Sequence, residues 1–393
     1  MDWKLGYRTA LDAVPGRLHF AAHSHHPWPD VTRDAAMAAW HDAASLLDDK
    51  WEKIFGEVFP KARMHVARRL GRRDPQSLAL APNTHELVVR LLSCVVPGRR
   101  LKVVTTDGEF HSLRRQLRRA AEAADVDVEW VSVEPHEDFP ERFAATIARL
   151  RPNFVFTSHV FFQTGYRLRR FDVILEAAPK DAIVVVDGYH AFCAIPVDWS
   201  KHGERAFYLG GGYKYAQAGE GACFLHVPPG TTLRPWSTGW WADFAHLADA
   251  DTGGEVAYGP GGERFQGATF DPTAWYRWNA VADWWDTRGI TVAQIWERVR
   301  DRQEKFLAIA DGQARFPFSH ATLASPKSPD DRGHFLAFDC GSPGAAAEWV
   351  RGLAEEKVVS DRRGRYLRLG FGVYQDDEDL AELVARIARL ANR

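Results

Sequence analysis

Residues 182–227 read AIVVVDGYHAFCAIPVDWSKHGERAFYLGGGYKYAQAGEGACFLHV. The run AIVVVD (182–187) is apolar on every residue until its terminal acid, the pattern of a strand covered on both faces. Two more short apolar runs follow, RAFYLGG (205–211) and GACFLHV (221–227), separated by a glycine-rich stretch that holds Lys214. Working outward, similar runs stand at SLALAP (77–82), LKVVTT (101–106), VDVEWVSV (126–133) and NFVFTSHVFF (153–162). Amphipathic segments beginning near Thr84, Ser112, Pro140 and Phe171 separate most of them. Strand–helix alternation of this kind predicts an α/β unit: a mainly parallel sheet with helices on both faces.

Before this unit, apolar residues recur at helical spacing from Asp30 to Phe55, and a second helix is expected from Pro60 to Leu70. After it, residues 228–270 form a Gly-, Pro- and Trp-rich connection. A helical region follows from Pro272 to about Ala310, then strand (334–340), helix (344–356), strand (366–371) and helix (376–391). The expected division is an N-terminal segment (1–29), a large α/β domain (30–260) and a smaller C-terminal α+β domain (261–393).

Hydrophobic residues make up 46% of the 393, which rules out wholesale disorder. Fifty Lys and Arg against 52 Asp and Glu argue against a nucleic-acid or membrane-surface binder. The basic clusters RRLGRR (68–73), RRQLRR (114–119) and RLRR (167–170) therefore read as solvated helix faces and loops. The four cysteines share no C-x-x-C spacing, and no stretch of 18 apolar residues occurs. The expectation is a cytoplasmic protein with neither disulfide framework nor structural metal. His23-Ser24-His25-His26 lacks a carboxylate or thiol at ligand spacing, so it too is read without a metal.

Ligands of open α/β sheets gather at the carboxyl ends of the strands. There the sequence places Asn83-Thr84-His85-Glu86 opening a helix, Asp107-Gly108-Glu109-Phe110-His111, Asp187-Gly188-Tyr189-His190, and Lys214. Thr84 and His85 at a helix start suit a phosphate, though an ordinary N-cap has the same composition. Asp187 closing one strand and Lys214 beyond the next are what a pyridoxal-phosphate enzyme requires. The lysine forms a Schiff base, and the acid keeps the ring nitrogen protonated so that the ring accepts electrons. A glycine-rich turn with a solvated lysine fits the same spacing.

The Asp-x-x-His of DGYHAF and the Tyr-Lys-Tyr of GGYKYAQAGEG resemble those of fold-type I pyridoxal-phosphate enzymes, in the class V aminotransferase group and nearest kynureninase. The resemblance runs from about residue 15 to the C-terminus. It implies the PLP-dependent transferase (aspartate aminotransferase-like) fold, with pyridoxal 5′-phosphate as cofactor. Lys214 is then the Schiff-base lysine and Asp187 the pyridinium partner. Phe110 stacks on the cofactor ring, Thr84 and His85 take its phosphate, and Tyr213 and His190 lie beside it. Arg368 grips the substrate carboxylate, for which a guanidinium fork is suited. His25 lines the mouth of the site, and Trp240, Trp241 and Trp275 face the substrate. Gly267-Ala268-Thr269 matches a segment that reaches the neighbouring subunit's phosphate, so a homodimer with shared active sites is implied.

Three positions depart from the pattern: Gly211 where a Ser or Thr is usual, His159 for an Asn, and Thr269 for an Asn. Cysteine desulfurase, another class V activity, needs a catalytic cysteine shortly before the arginine, and residues 350–367 contain none. The implied activity is kynureninase-like hydrolytic Cβ–Cγ cleavage of an aromatic amino acid. The alternatives are a class V aminotransferase and, more remotely, a non-catalytic cofactor-binding module.

Overall fold

The structure is a computed structural model that describes residues 3–95, 100–123, 126–246 and 254–392. The chain opens on α1 (Arg8–Asp12), β1 (Leu18–His19), α2 (Val31–Leu46), α3 (Lys50–Lys53) and α4 (Phe59–Arg69). The central unit then alternates β2 (Leu78–Ala81), α5 (Thr84–Leu92), β3 (Leu101–Thr106), α6 (His111–Ala123), β4 (Val126–Val131), α7 (Phe139–Leu150), β5 (Phe154–Ser158), α8 (Phe171–Ala177) and β6 (Ile183–Asp187). It closes with β7 (Phe207–Gly211) and β8 (Cys223–His226).

These strands form one seven-stranded sheet in the order β2-β8-β7-β6-β5-β3-β4. The pairs from β7 to β4 are parallel, while β8 runs antiparallel to both β7 and β2. The reversal follows from connection length, since the glycine-rich loop after Gly211 is too short for a crossover helix and turns the chain straight back. Side chains alternate along β6 between two cores: Val184 and Val186 join one buried cluster, Ile183 and Val185 the other. A strand covered on both sides has no polar face to show, which is why AIVVVD reads as unbroken apolar sequence.

After the connection come α9 (Thr273–Thr287), α10 (Val292–Asp311), β9 (Phe335–Asp339), α11 (Pro343–Glu355), β10 (Val358–Val359), β11 (Asp361–Arg363), β12 (Tyr366–Gly370) and α12 (Asp377–Ala391). β11, β12 and β9 form a small antiparallel sheet. β1 pairs with β10, and Gly370 N–H donates to the Phe20 carbonyl. The N-terminal segment is thereby stitched to the last strand of the chain. α9 packs along α2 and against α4.

Three expected elements differ. The helix expected over 30–55 stops at Leu46, because Leu47 takes a left-handed backbone (φ 50°), and short helical turns carry the chain into α4. The single helical region expected after Pro272 is two helices, broken at Gly289 (φ 65°) and restarted by the Thr291–Gln294 capping box. The run NFVFTSHVFF leaves the sheet at Ser158. A turn through Gly165 (φ 75°) folds Phe161 against Tyr166 and brings Val160 and Phe162 over the ends of the strands.

Candidate active site

At the carboxyl ends of β2, β3, β5, β6 and β7 lies a narrow cleft. Six of the residues singled out from the sequence line it together: Thr84, Phe110, Asp187, His190, Tyr213 and Lys214. Ser158, Val160, Phe162 and Tyr189 complete the wall.

Asp187 ends β6 with its carboxylate accepting from the Tyr189 N–H at 2.8 Å. Burial raises its pKa to about 6, against the pull of that hydrogen bond and of the Lys214 charge. Next to it in register is Ser158, whose hydroxyl lies 2.6 Å from Glu109 Oε2. Glu109 is fully buried and also accepts from the Thr106 hydroxyl at 2.7 Å and from Ser158 N–H at 3.1 Å. Burial, with the Asp187 charge nearby, moves it up to about 8. This pair is not legible in the sequence, since nothing in TTDGEF marks its acid as buried.

Lys214 sits in the loop between β7 and β8, buried, with Nζ 4.8 Å from the centroid of the Tyr213 ring and 5.5 Å from that of Tyr189. Burial first, and then the Arg368 charge, lowers its amine to about 7. His190 is buried with Nδ1 unpartnered, and burial together with Lys214 keeps its imidazole neutral. The Tyr213 carbonyl accepts from His26 N–H at 3.1 Å, which ties the N-terminal segment to the lysine loop. His25 stacks on the outer side of Tyr213 (centroids 5.0 Å, 23°) and points to solvent, so it stands at the mouth rather than inside.

The other expected residues lie outside the cleft. His85, on the first turn of α5, is exposed. Trp241 and Trp275 are sealed in the core, at 2% and 1% exposure, which corrects their assignment as substrate-facing. Trp240 packs against Phe55 and Phe244 and donates from Nε1 to Thr269 Oγ1 at 3.3 Å; both partners are accessible. Arg368 is buried beside the cleft, but its fork is occupied. Nε donates to Asp361 Oδ1 at 2.8 Å, Nη2 to Asp361 Oδ2, and Nη1 to the Phe162 carbonyl. His23 Nε2 meets the same carboxylate at 2.8 Å, and against its burial the contacts with His23 and the Arg368 guanidinium hold Asp361 well below the usual carboxylate range.

Two departures have steric causes. A Cβ on Gly211 would lie 2.4 Å from the Tyr189 phenol and 2.6 Å from Cys223 Sγ, so the tyrosine fills the space of a side chain there. His159 turns away from the cleft, with Nδ1 3.1 Å from the Tyr208 hydroxyl and its ring edge-on to Phe171. All four thiols are free, none lines the cleft, and burial shifts each upward, Cys94, Cys193 and Cys223 to about 12. Among the described residues no helix is long and apolar enough to cross a membrane.

Residues 49–314 match the model of a family described as aminotransferase class-V. Isopenicillin N epimerase of Streptomyces clavuligerus is 29% identical over 397 residues, 96% of this chain and 90% of that one. Its counterpart from Amycolatopsis lactamdurans is 30% identical over 248 residues, 59% and 60% of the two chains. Among solved structures, a variant of C-DES with glycine covalently linked to its PLP cofactor superposes with a TM-score of 0.79 at 18% identity, covering 97% of this chain and 98% of that one. The apo cysteine desulfurase of Thermococcus onnurineus gives 0.79 at 15% identity, covering 98% and 97%. At these identities the two structures establish the fold alone.

Proposed function

The chain belongs to the aminotransferase class-V family, and on that premise we propose that it epimerises an amino acid, with Lys214 as the base at one face of Cα. It is a pyridoxal 5′-phosphate enzyme with the PLP-dependent transferase fold. The bound cofactor supplies an electron sink that makes the Cα–H bond acidic. The observation that carries the reading is one cleft holding a buried lysine and a half-buried strand-end carboxylate.

In this reading Lys214 is the covalent anchor and, once released, the general base. Asp187 would hold a proton at the ring nitrogen, and Phe110 would lie against the ring. Thr84 and the N-terminus of α5 would receive the phosphate. His190 fits as a neutral partner because its buried Nδ1 has no partner of its own. Arg368 receives the substrate α-carboxylate by exchanging Asp361 for it, while His23 retains the displaced carboxylate.

Epimerisation is preferred because it asks only proton transfer at Cα, away from one face and back to the other, and because the relative aligned over 96% of this chain is named an epimerase. Desulfurase chemistry lacks a nucleophile, since no thiol reaches the cleft. Kynureninase-like cleavage loses the buried Trp241 and Trp275 as substrate contacts, and neither relative is a kynureninase. Transamination shares the first step and stands as the second reading. The test is incubation of holoenzyme with a panel of amino acids in D₂O, followed by proton NMR and chiral chromatography. Deuterium at Cα with the opposite configuration appearing supports epimerisation. A 2-oxo acid in amounts matching the cofactor would point to transamination, and release of alanine to cleavage; either overturns the epimerase reading.

A further inference from the structure

Phe162 lines the cofactor cleft and also a second, wider and more open pocket of about 520 Å³, whose other walls include His111, Ser360, Arg362 and Arg363. The two spaces meet at an aromatic corner: Phe162 is edge-on to Phe110 at 5.5 Å and to His111 at 5.4 Å.

The charges around this chamber do not balance. Among the described residues Asp361 is the one acid on its walls, and that carboxylate is already engaged by Arg368 and His23. Arg363 comes no nearer to it than 3.6 Å and otherwise donates to the Arg362 carbonyl at 2.8 Å. Arg362 reaches the Gly364 carbonyl at 3.4 Å, and among the described residues no carboxylate lies within ion-pair distance of it. With Asp361 and Arg368 cancelling, two guanidinium charges remain.

Charged residues on an edge strand such as β11 are often no more than a solvated rim. Arg363 does not fit that description. Its side chain is only 33% exposed, and its Nε is buried without a hydrogen-bond partner, as is Ser360 Oγ on the same wall. A guanidinium desolvated to that degree without a full complement of acceptors is costly unless an anion completes it. The Arg363 charge also reaches the cofactor cleft, where it helps to depress the Lys214 amine.

We propose that the substrate carries a second anionic group, a side-chain carboxylate, which enters this chamber past Phe162 and is received by Arg363 with Arg362 beside it. The proposal rests on the amino-acid reading above and names the class within it: α-amino acids with an acidic distal end.

The test is a titration of holoenzyme followed by the cofactor's visible absorption, which reads binding without turnover. The probes are α-amino dicarboxylates from glutamate to 2-aminopimelate and their ω-amides, with norleucine as a monocarboxylic control. A member of the dicarboxylate series is expected to half-saturate the change at about 10- to 100-fold lower concentration than its amide. That preference collapses in Arg363→Gln. It also weakens as salt is raised, a readout that needs no variant should Arg363→Gln fail to fold. Equal half-saturation for acids and amides, or a preference insensitive both to salt and to the variant, overturns the proposal while leaving the amino-acid reading intact. A cofactor spectrum indifferent to every amino acid overturns both.

Discussion

Lys214, Asp187 and Glu109 are three buried titratable groups whose neutral forms burial favours to different degrees. The free amine of Lys214 is the form that attacks an aldehyde. With its pKa lowered to about 7, uptake of pyridoxal phosphate by cofactor-free protein is expected to quicken as pH rises through neutrality, not near the ordinary lysine value of 10.5. Stopped-flow absorbance checks this. Lys214→Ala is expected to lower turnover by roughly 10³-fold or more, the combined loss of anchor and base. Glu109 gives a stability prediction with a definite sign. Its native pKa of about 8 lies above the ordinary value of 4.5, so the folded state holds the extra proton between them. Its penalty is absent below pH 4.5 and grows as pH rises toward 8. Glu109→Gln removes that slope, so in cofactor-free protein the variant is expected to gain on the wild type as pH rises from 5 to 8.5, by thermal melting. A variant that tracks the wild type at every pH would contradict the buried neutral acid.

At the scale of elements, the strands of the large sheet were legible because burial on both faces leaves an unmistakable composition. The residues at their ends were legible because the end of such a strand is where chemistry collects. Contacts between distant segments were not. Nothing in HSHH or DRRGR shows that His23, Asp361 and Arg368 share one network, since β1 and β10 must pair before they meet. The same is true of Trp240 and Thr269, whose contact depends on the path of an irregular connection. The seam between the N-terminal segment and β12 can be tested. A Cβ on Gly370 would lie 2.0 Å from His23 Nδ1 and 2.9 Å from His23 N. Gly370→Ala is therefore expected to destabilise the fold by about 1–3 kcal/mol in urea titration and to loosen the mouth of the cleft. A neutral effect would mean that the segment yields freely.

The whole molecule presents more exposed apolar surface than the cleft requires. Met37 and Trp40 on α2 are 49% and 62% exposed, Leu47 68%, and Trp236 74%. Met37 and Trp40 stand three apart on α2, spacing that puts both on one helix face, and such a patch would suit the homodimer that the resemblance implies. Sedimentation equilibrium is expected to return twice the chain's 44.3 kDa, and Trp40→Glu to shift the balance toward monomer. A monomeric wild type that remains active would contradict a shared site. The proposed chemistry depends on one covalent bond, between Lys214 and the cofactor. Borohydride reduction of the purified holoenzyme, followed by peptide mapping by mass spectrometry, tests it most directly. One phosphopyridoxyl group per chain is expected, on the peptide that carries Lys214. Attachment to another lysine, or no attachment after incubation with excess pyridoxal phosphate, would contradict it.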